Sequence, residues 1–324
     1  MQSLGTSLTR EEQVKLSFFR GNCLHLENPD YLRAASAILD ELLAEDTRPR
    51  DLTVAALEIG SERAKARILA KEPGIAAGIA EYRWLVSRAG ILVTPLKKDG
   101  DRVARHDALL EMEGERGTLL SYERVGLNLL QRMSGIATMT HELQERVQRR
   151  NPATFVVGTR KTPWGLLDKR ALHLGGGGTH RLGLGDAILV KNNHLTLLAD
   201  REEEAVRVAL QRAWKFREKA VFIEVEVRSK AGAIAAAQTF RERREEDSAA
   251  CPCWLLLDNI APDEIILILR ALRSDGLLDH VLIEGSGNIS EANAEEYAAS
   301  GVDAVSSGAL THSARALDLS QRLQ

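Results

Sequence analysis

Beyond Asn151 the chain alternates two kinds of segment. Short β-type runs (Thr154–Val157, Ala187–Val190, Val221–Val227, Trp254–Leu257, Val281–Ile283, Val302–Val305) are separated by stretches of helical spacing such as Glu202–Lys219, Ala231–Arg244, Pro262–Arg273 and Glu291–Ser300. Parallel strands need long crossovers, usually helical, so this alternation predicts a parallel α/β sheet. Six runs fall short of a complete eight-unit barrel. An open, about seven-stranded α/β barrel is therefore expected.

Upstream, strand and helix mix without strict alternation. Tyr31–Ala44 has helical spacing, Ala64–Ala70 and Ala108–Met112 read as strands, and Ile75–Arg88 is helical again. This pattern suggests an α/β sandwich. The expected division is a helical extension over 1–27, a sandwich over 28–126 and a barrel over 127–313, with a helix over 314–324 packing back on the sandwich. Thr118–Val147 reads as helix, and Ser134-Gly135 predicts a break into two.

The 324 residues are 44% hydrophobic and 27% charged, as in ordinary globular proteins, and the net charge of -3 gives no bulk attraction to nucleic acid or anionic membrane. Anion binding must come from local clusters. No apolar run approaches the length of a membrane span, and the first residues lack a secretory signal, so a cytoplasmic protein is expected. Cys23, Cys251 and Cys253 suggest no disulfide framework, and Cys251-Pro-Cys253 lacks the second half of a metal site.

The strand ends carry the chemistry. Arg160 and Lys161 follow the first run, His180 and Arg181 follow four glycines (Gly175–Gly178), and Lys191 follows the second run. Strand termini face the ligand in parallel α/β proteins, so these cations are expected at one cavity suited to a polyanion. In Val221–Val227, alternation puts Phe222, Glu224 and Glu226 on one face. Glu224 fits an internal ion pair with a lysine; Glu226 lies nearer the rim. Asp258 ends another strand, either as a helix cap or, with Glu226, as an oxygen site for magnesium. Ser286-Gly287-Asn288 and Ser307-Gly308 follow later strands and read as phosphate seats, with His312 beside the second. The glycine run also reads as a plain turn, and His180 and His194 as core or turn histidines.

The segment Glu123-Arg124-Val-Gly-Leu-Asn-Leu-Leu-Gln-Arg-Met-Ser-Gly-Ile-Ala-Thr138 resembles the ER-x-x-LN-x-LQ-x-x-SGIAT segment of quinolinate phosphoribosyltransferases. In family order come Thr159-Arg-Lys-Thr162, the glycine run with His180-Arg181, Val190-Lys-Asn-Asn-His194, Glu224-Val-Glu226, Leu257-Asp-Asn259, Glu284-Gly-Ser-Gly287 and Gly308 to Ser313. The resemblance implies a type II phosphoribosyltransferase fold and a dimer in which Arg124 enters the partner's site. It implies quinolinate and phosphoribosyl diphosphate as substrates, magnesium as cofactor, and nicotinate mononucleotide, diphosphate and carbon dioxide as products. On that resemblance Arg124, Arg160, His180, Arg181 and Lys191 bind quinolinate. Lys161, Ser286, Gly287, Asn288, Ser307, Gly308 and His312 bind phosphoribosyl diphosphate. Lys161, Lys191, Glu226 and Asp258 are catalytic, the last two also holding the metal.

Asn192 stands where the family usually has aspartate, Pro163-Trp164-Gly165 replaces its Thr-Pro-Gly, and Asn288 its second glycine. Alternatives from the sequence are a molybdenum-transport-associated paralogue acting on a related ring, a catalytically weak ligand-binding homologue, and a Schiff-base aldolase using Lys191.

Overall fold

Each of the six runs forms a strand in the computed structural model, which describes residues 8–48, 50–247 and 251–324. Residues 1–7 of the expected extension, and Pro49, lie outside the described residues. The chain divides into two units. One holds the described residues to Arg20, Leu143–Arg160 and Gly178–Ala309; the other holds Gly21–Glu142, Lys161–Gly177 and Leu310–Gln324. Residues 127–142, 161–177 and 310–313, expected in the barrel, thus cluster with the sandwich, and the described part of the extension up to Arg20 with the barrel.

In the first unit the strands lie in the order Phe155–Val157, Ala304–Ser306, Leu282–Ser286, Cys253–Asp258, Ile223–Val227 and Ile188–Val190, all parallel. A single parallel bridge from Val157 to Gly178 stands where a seventh strand would be. Phe155 from one edge and Ala187 beside the other share one core cluster with Phe222, Trp254, Leu282 and Ala304. Shared packing across both edges means the sheet is curled into an open barrel. Glu202–Trp214, Lys230–Glu246 and Pro262–Ser274 are the crossover helices.

The extension proves to be part of this core. Thr9 caps the helix Arg10–Phe18 through a reciprocal bond with Glu12, and Val14 and Phe18 pack among the barrel's first inward layer. Trp254 Nε1 donates to Ser17 Oγ at 3.0 Å, and Arg10 holds Asp303 through both carboxylate oxygens.

The second unit carries an antiparallel sheet in the order Leu319–Leu323, Arg63–Ala70, Ala108–Glu115, Leu92–Pro95. Two expectations are corrected here. The expected helix over 314–324 does not form; Leu319–Leu323 is a strand, because pairing with Arg63–Ala70 satisfies backbone groups at an otherwise open sheet edge. The expected break at Ser134-Gly135 is also absent, since Glu123–Arg150 is one helix. Its glycine serves close packing instead: a Cβ there would lie 2.0 Å from the Arg315 carbonyl oxygen. Ser134 Oγ accepts from Ala77 N at 3.0 Å, so its hydroxyl is spent on a neighbouring segment rather than on breaking the helix.

Candidate active site

The barrel strands deliver inward side chains in layers. Along each strand they step by two (Phe222, Glu224, Glu226; Trp254, Leu256, Asp258; Leu282, Glu284, Ser286), with Trp254 opposite Glu224 and Leu282, Leu256 opposite Glu226 and Glu284, and Asp258 opposite Ser286. Ile223, Val225 and Val227 are buried on the opposite face, so the alternation of Val221–Val227 is as expected.

At the rim, Glu226 and Asp258 share one guanidinium. Arg228 Nη2 lies 3.4 Å from Glu226 Oε1 and 3.1 Å from Asp258 Oδ2. Burial first, then the Asp258 charge, raises the Glu226 pKa, opposed by the Asn192 backbone N–H, Arg228 and Lys191. Two hard carboxylates on adjacent strands, still short of positive charge, are a donor set that fits magnesium. Asn192 serves Glu226 through its backbone, a bond that aspartate at the same position would make equally. Asp258 caps no helix; Ala261 stands at that position for Pro262–Ser274.

One layer below lies a fully buried cluster. His180 Nε2 sits 3.3 Å from Glu224 Oε2 and 3.2 Å from Glu284 Oε2. Glu224 therefore pairs with a histidine, not with the expected lysine. Burial opposes charge on His180, but Glu284 and Glu224 overcome it and raise its pKa to about 9. Burial and Glu284 raise Glu224 to about 8. His180 Nδ1 accepts the Arg181 N–H at 2.8 Å, which leaves the ring's proton on Nε2, facing the two carboxylates. The ligating atoms of the three residues lie within 4.8 Å of one another, yet this tautomer leaves Nε2 no lone pair for a metal.

The cluster has a stability consequence. On Glu224 the folded protein holds a proton that an unfolded chain releases above the ordinary glutamate value of 4.5. Its contribution is complete below pH 4.5 and is lost as pH rises through about 8. Unfolding free energy is expected to fall over that window by up to about 1.4 kcal/mol per pH unit. Glu224→Gln is expected to flatten the slope in denaturant melts; an unchanged slope would reject a proton held on Glu224.

The remaining barrel-side residues divide by exposure. Arg160 and Lys191 are exposed at strand ends, whereas Arg181 is buried, its Nη1 donating to the Ala187 carbonyl at 3.3 Å. Burial lowers the Arg181 pKa, with Arg160 adding to the fall and Glu224 and Asp186 opposing it, so the two arginines and Glu224 act on one region. Ser286 Oγ accepts from Ser306 Oγ at 3.0 Å. Gly287 has φ +103, and a Cβ there would lie 2.4 Å from Asn259 Oδ1. Asn288 also takes positive φ and is exposed. Ser307 is buried and donates to the Ile289 carbonyl at 2.6 Å, tying the two late turns together. Gly308 opens a helix of four residues, Ala309–His312.

Arg124, Lys161 and His312 belong to the other unit, and all three are exposed. Thr311 Oγ1 donates to the Lys161 carbonyl at 2.8 Å. Buried Asp168 accepts from Arg132 Nε and Nη2 at 2.8 and 2.9 Å and from Trp164 N at 3.0 Å, and Arg132 also donates to the Thr311 carbonyl. This brace holds the backbone that follows Lys161 and the backbone that precedes His312.

Sequence reasoning gave no role to Arg132, Asp168, Arg228 or Glu284. Glu284 alone carried a signal, a carboxylate on the inward period of an apolar strand. Two glycines of the run serve packing, since Gly175 has no room for a Cβ beside Ala137, nor Gly178 beside Val157, whereas Gly176 takes φ +86 in open space. Cys251 and Cys253 are free and buried, their thiols pushed up to about 11 and 12 by that burial.

Two family models match this chain. The N-terminal domain of quinolinate phosphoribosyl transferase matches residues 51–134, and its C-terminal domain matches 136–322. A probable nicotinate-nucleotide pyrophosphorylase [carboxylating] of Archaeoglobus fulgidus is 37% identical, covering 82% of this chain and 96% of its own. The human nicotinate-nucleotide pyrophosphorylase [carboxylating] is 32% identical, over 89% and 91%. Among solved structures, the nicotinate-nucleotide pyrophosphorylase of Francisella tularensis superposes with a TM-score of 0.77 at 30% identity, over 90% of this chain and 96% of that one. Matches to both domains, set beside the rim carboxylates and strand-end cations, place the chain in the quinolinate phosphoribosyl transferase family.

Proposed function

We propose that this protein transfers the phosphoribosyl group of phosphoribosyl diphosphate to the ring nitrogen of quinolinate, releasing diphosphate and carbon dioxide and giving nicotinate mononucleotide. The observation that carries the reading is the barrel rim itself, where Glu226 and Asp258 stand among strand-end cations. Arg160, Arg181 and Lys191 meet the two ring carboxylates, with the bidentate geometry arginine offers such groups. Ser286, Gly287, Asn288, Ser307 and Gly308 seat phosphate through backbone N–H groups, and Lys161 and His312 add charge.

Attack by the ring nitrogen displaces diphosphate from the anomeric carbon, where Glu226 and Asp258 oppose the developing positive charge. The 2-carboxylate then departs as carbon dioxide, leaving its electron pair on ring carbon 2 beside the positively charged ring nitrogen, and a proton from solvent adds there to give nicotinate mononucleotide. Glu226 and Asp258 would hold magnesium, which would neutralise charge on the diphosphate. Otherwise the protein contributes position and electrostatics, with no covalent nucleophile. The reading includes a homodimer sharing its sites through Arg124 and a cytoplasmic location. Among the described residues no helix is long and apolar enough to cross a membrane.

Purified protein given quinolinate, phosphoribosyl diphosphate and Mg²⁺ is expected to form nicotinate mononucleotide, detected chromatographically, and to lose activity on chelation. Asp258→Asn is expected to lower turnover at least about a hundredfold. A folded preparation that makes no product would reject the reading, and quinolinate binding without turnover would favour a ligand-binding homologue.

A further inference from the structure

We propose that His180 is a positioning residue for Arg181 rather than a quinolinate ligand, and that the N-terminal helix acts on the pocket through it. The inference rests on the function proposed above and concerns how its quinolinate-binding arginine is held.

Every face of the His180 ring is committed to the protein. Nε2 lies between Glu224 and Glu284 at 3.3 and 3.2 Å, and Nδ1 accepts the Arg181 N–H at 2.8 Å. One ring face stacks on Phe18 with centroids 4.6 Å apart and planes 18° apart, while Phe222 meets the ring at 77°. The residue is 5% exposed. No nitrogen remains to address a substrate carboxylate.

What the ring does instead is hold a backbone conformation. His180 has φ +53, a left-handed geometry that costs a non-glycine residue about 1–2 kcal/mol. It is over-determined from three sides. The bond to Nδ1 closes the turn onto Arg181, the two carboxylates anchor Nε2, and Thr179 N and Oγ1 donate to the Phe18 carbonyl at 2.7 and 3.0 Å. The turn directs Arg181 toward Arg160 and Ala187, leaving guanidinium N–H groups beyond the one bonded to the Ala187 carbonyl. Two arginines do not stay together unaided; the turn and the Asp186 charge keep them so.

Phe18→Leu keeps apolar volume but removes the ring stack, and His180→Asn keeps a side chain tolerant of left-handed backbone. Each is expected to raise KM for quinolinate about tenfold while KM for phosphoribosyl diphosphate stays within about twofold. Because Phe18 acts through the imidazole, the double variant is expected to match His180→Asn alone; multiplication of the two effects would overturn the proposal. Ring ¹⁵N shifts, assigned by loss in His180→Asn, are expected to show the Nε2–H tautomer in the free protein and to stay unmoved at saturating quinolinate. A Nδ1–H tautomer, or a shift showing a new hydrogen bond on saturation, would overturn the proposal. The free-protein spectrum is read without substrate, so it decides the positioning role even if quinolinate proves not to be the ligand.

Discussion

Arg124→Ala is expected to reduce turnover at least about a thousandfold while leaving the unfolding free energy within about 0.5 kcal/mol of the parent. Arg124 is the second residue of the helix Glu123–Arg150 and is exposed, so truncation removes no buried packing. Its predicted work is done in the partner subunit's site, where one bidentate donor to a carboxylate is lost. Lys191→Ala disables the barrel side of the site instead. Mixed and reassorted, the two inactive variants form about half hybrid dimers, each with one complete site, restoring about a quarter of parental activity. No recovery in a preparation shown to contain hybrids would reject the shared site.

Asp168→Ala is expected to cost about 3–5 kcal/mol of stability, the range for removing one partner of a buried ion pair. Asp168 is wholly buried, and without it the Arg132 guanidinium and the Trp164 N–H both lose their acceptor. Arg132 also lies over the Trp164 ring, 5.1 Å from its centroid, so one deletion loosens the Lys161–Leu166 turn and the Thr311 carbonyl together. Asp168→Asn retains an acceptor and is expected to fall between parent and alanine variant. Denaturant melts give the comparison directly, and a cost below about 1 kcal/mol for the alanine variant would show that Arg132 finds another partner.

The barrel was legible because its signals are local. Inward alternation in Val221–Val227 and Trp254–Leu257 needs only period two, and the carboxylates ending those strands follow from the same count. The glycine turn at Gly287 was legible for a similar reason, since a turn residue with positive φ favours glycine. Gly135 misled because helix propensity penalises glycine without knowing that the Arg315 carbonyl would need its space. The strand Leu319–Leu323 misled because only the open edge of Arg63–Ala70 makes extended backbone the better choice there.

By itself, then, the sequence determined the alternation of strands and helices, the inward face of each strand and the charged groups at its end, all consequences of short-range periodicity. Tertiary structure alone decided that residues 10–18 fill the barrel, that Glu224 meets His180 instead of lysine, and that Asp168 braces the Lys161 turn. Those outcomes depend on partners between 36 and 293 residues apart in the chain, such as Arg132 with Asp168 and Arg10 with Asp303. Burial makes each of them obligatory, because a polar group withdrawn from water must find a donor or acceptor wherever the fold supplies one.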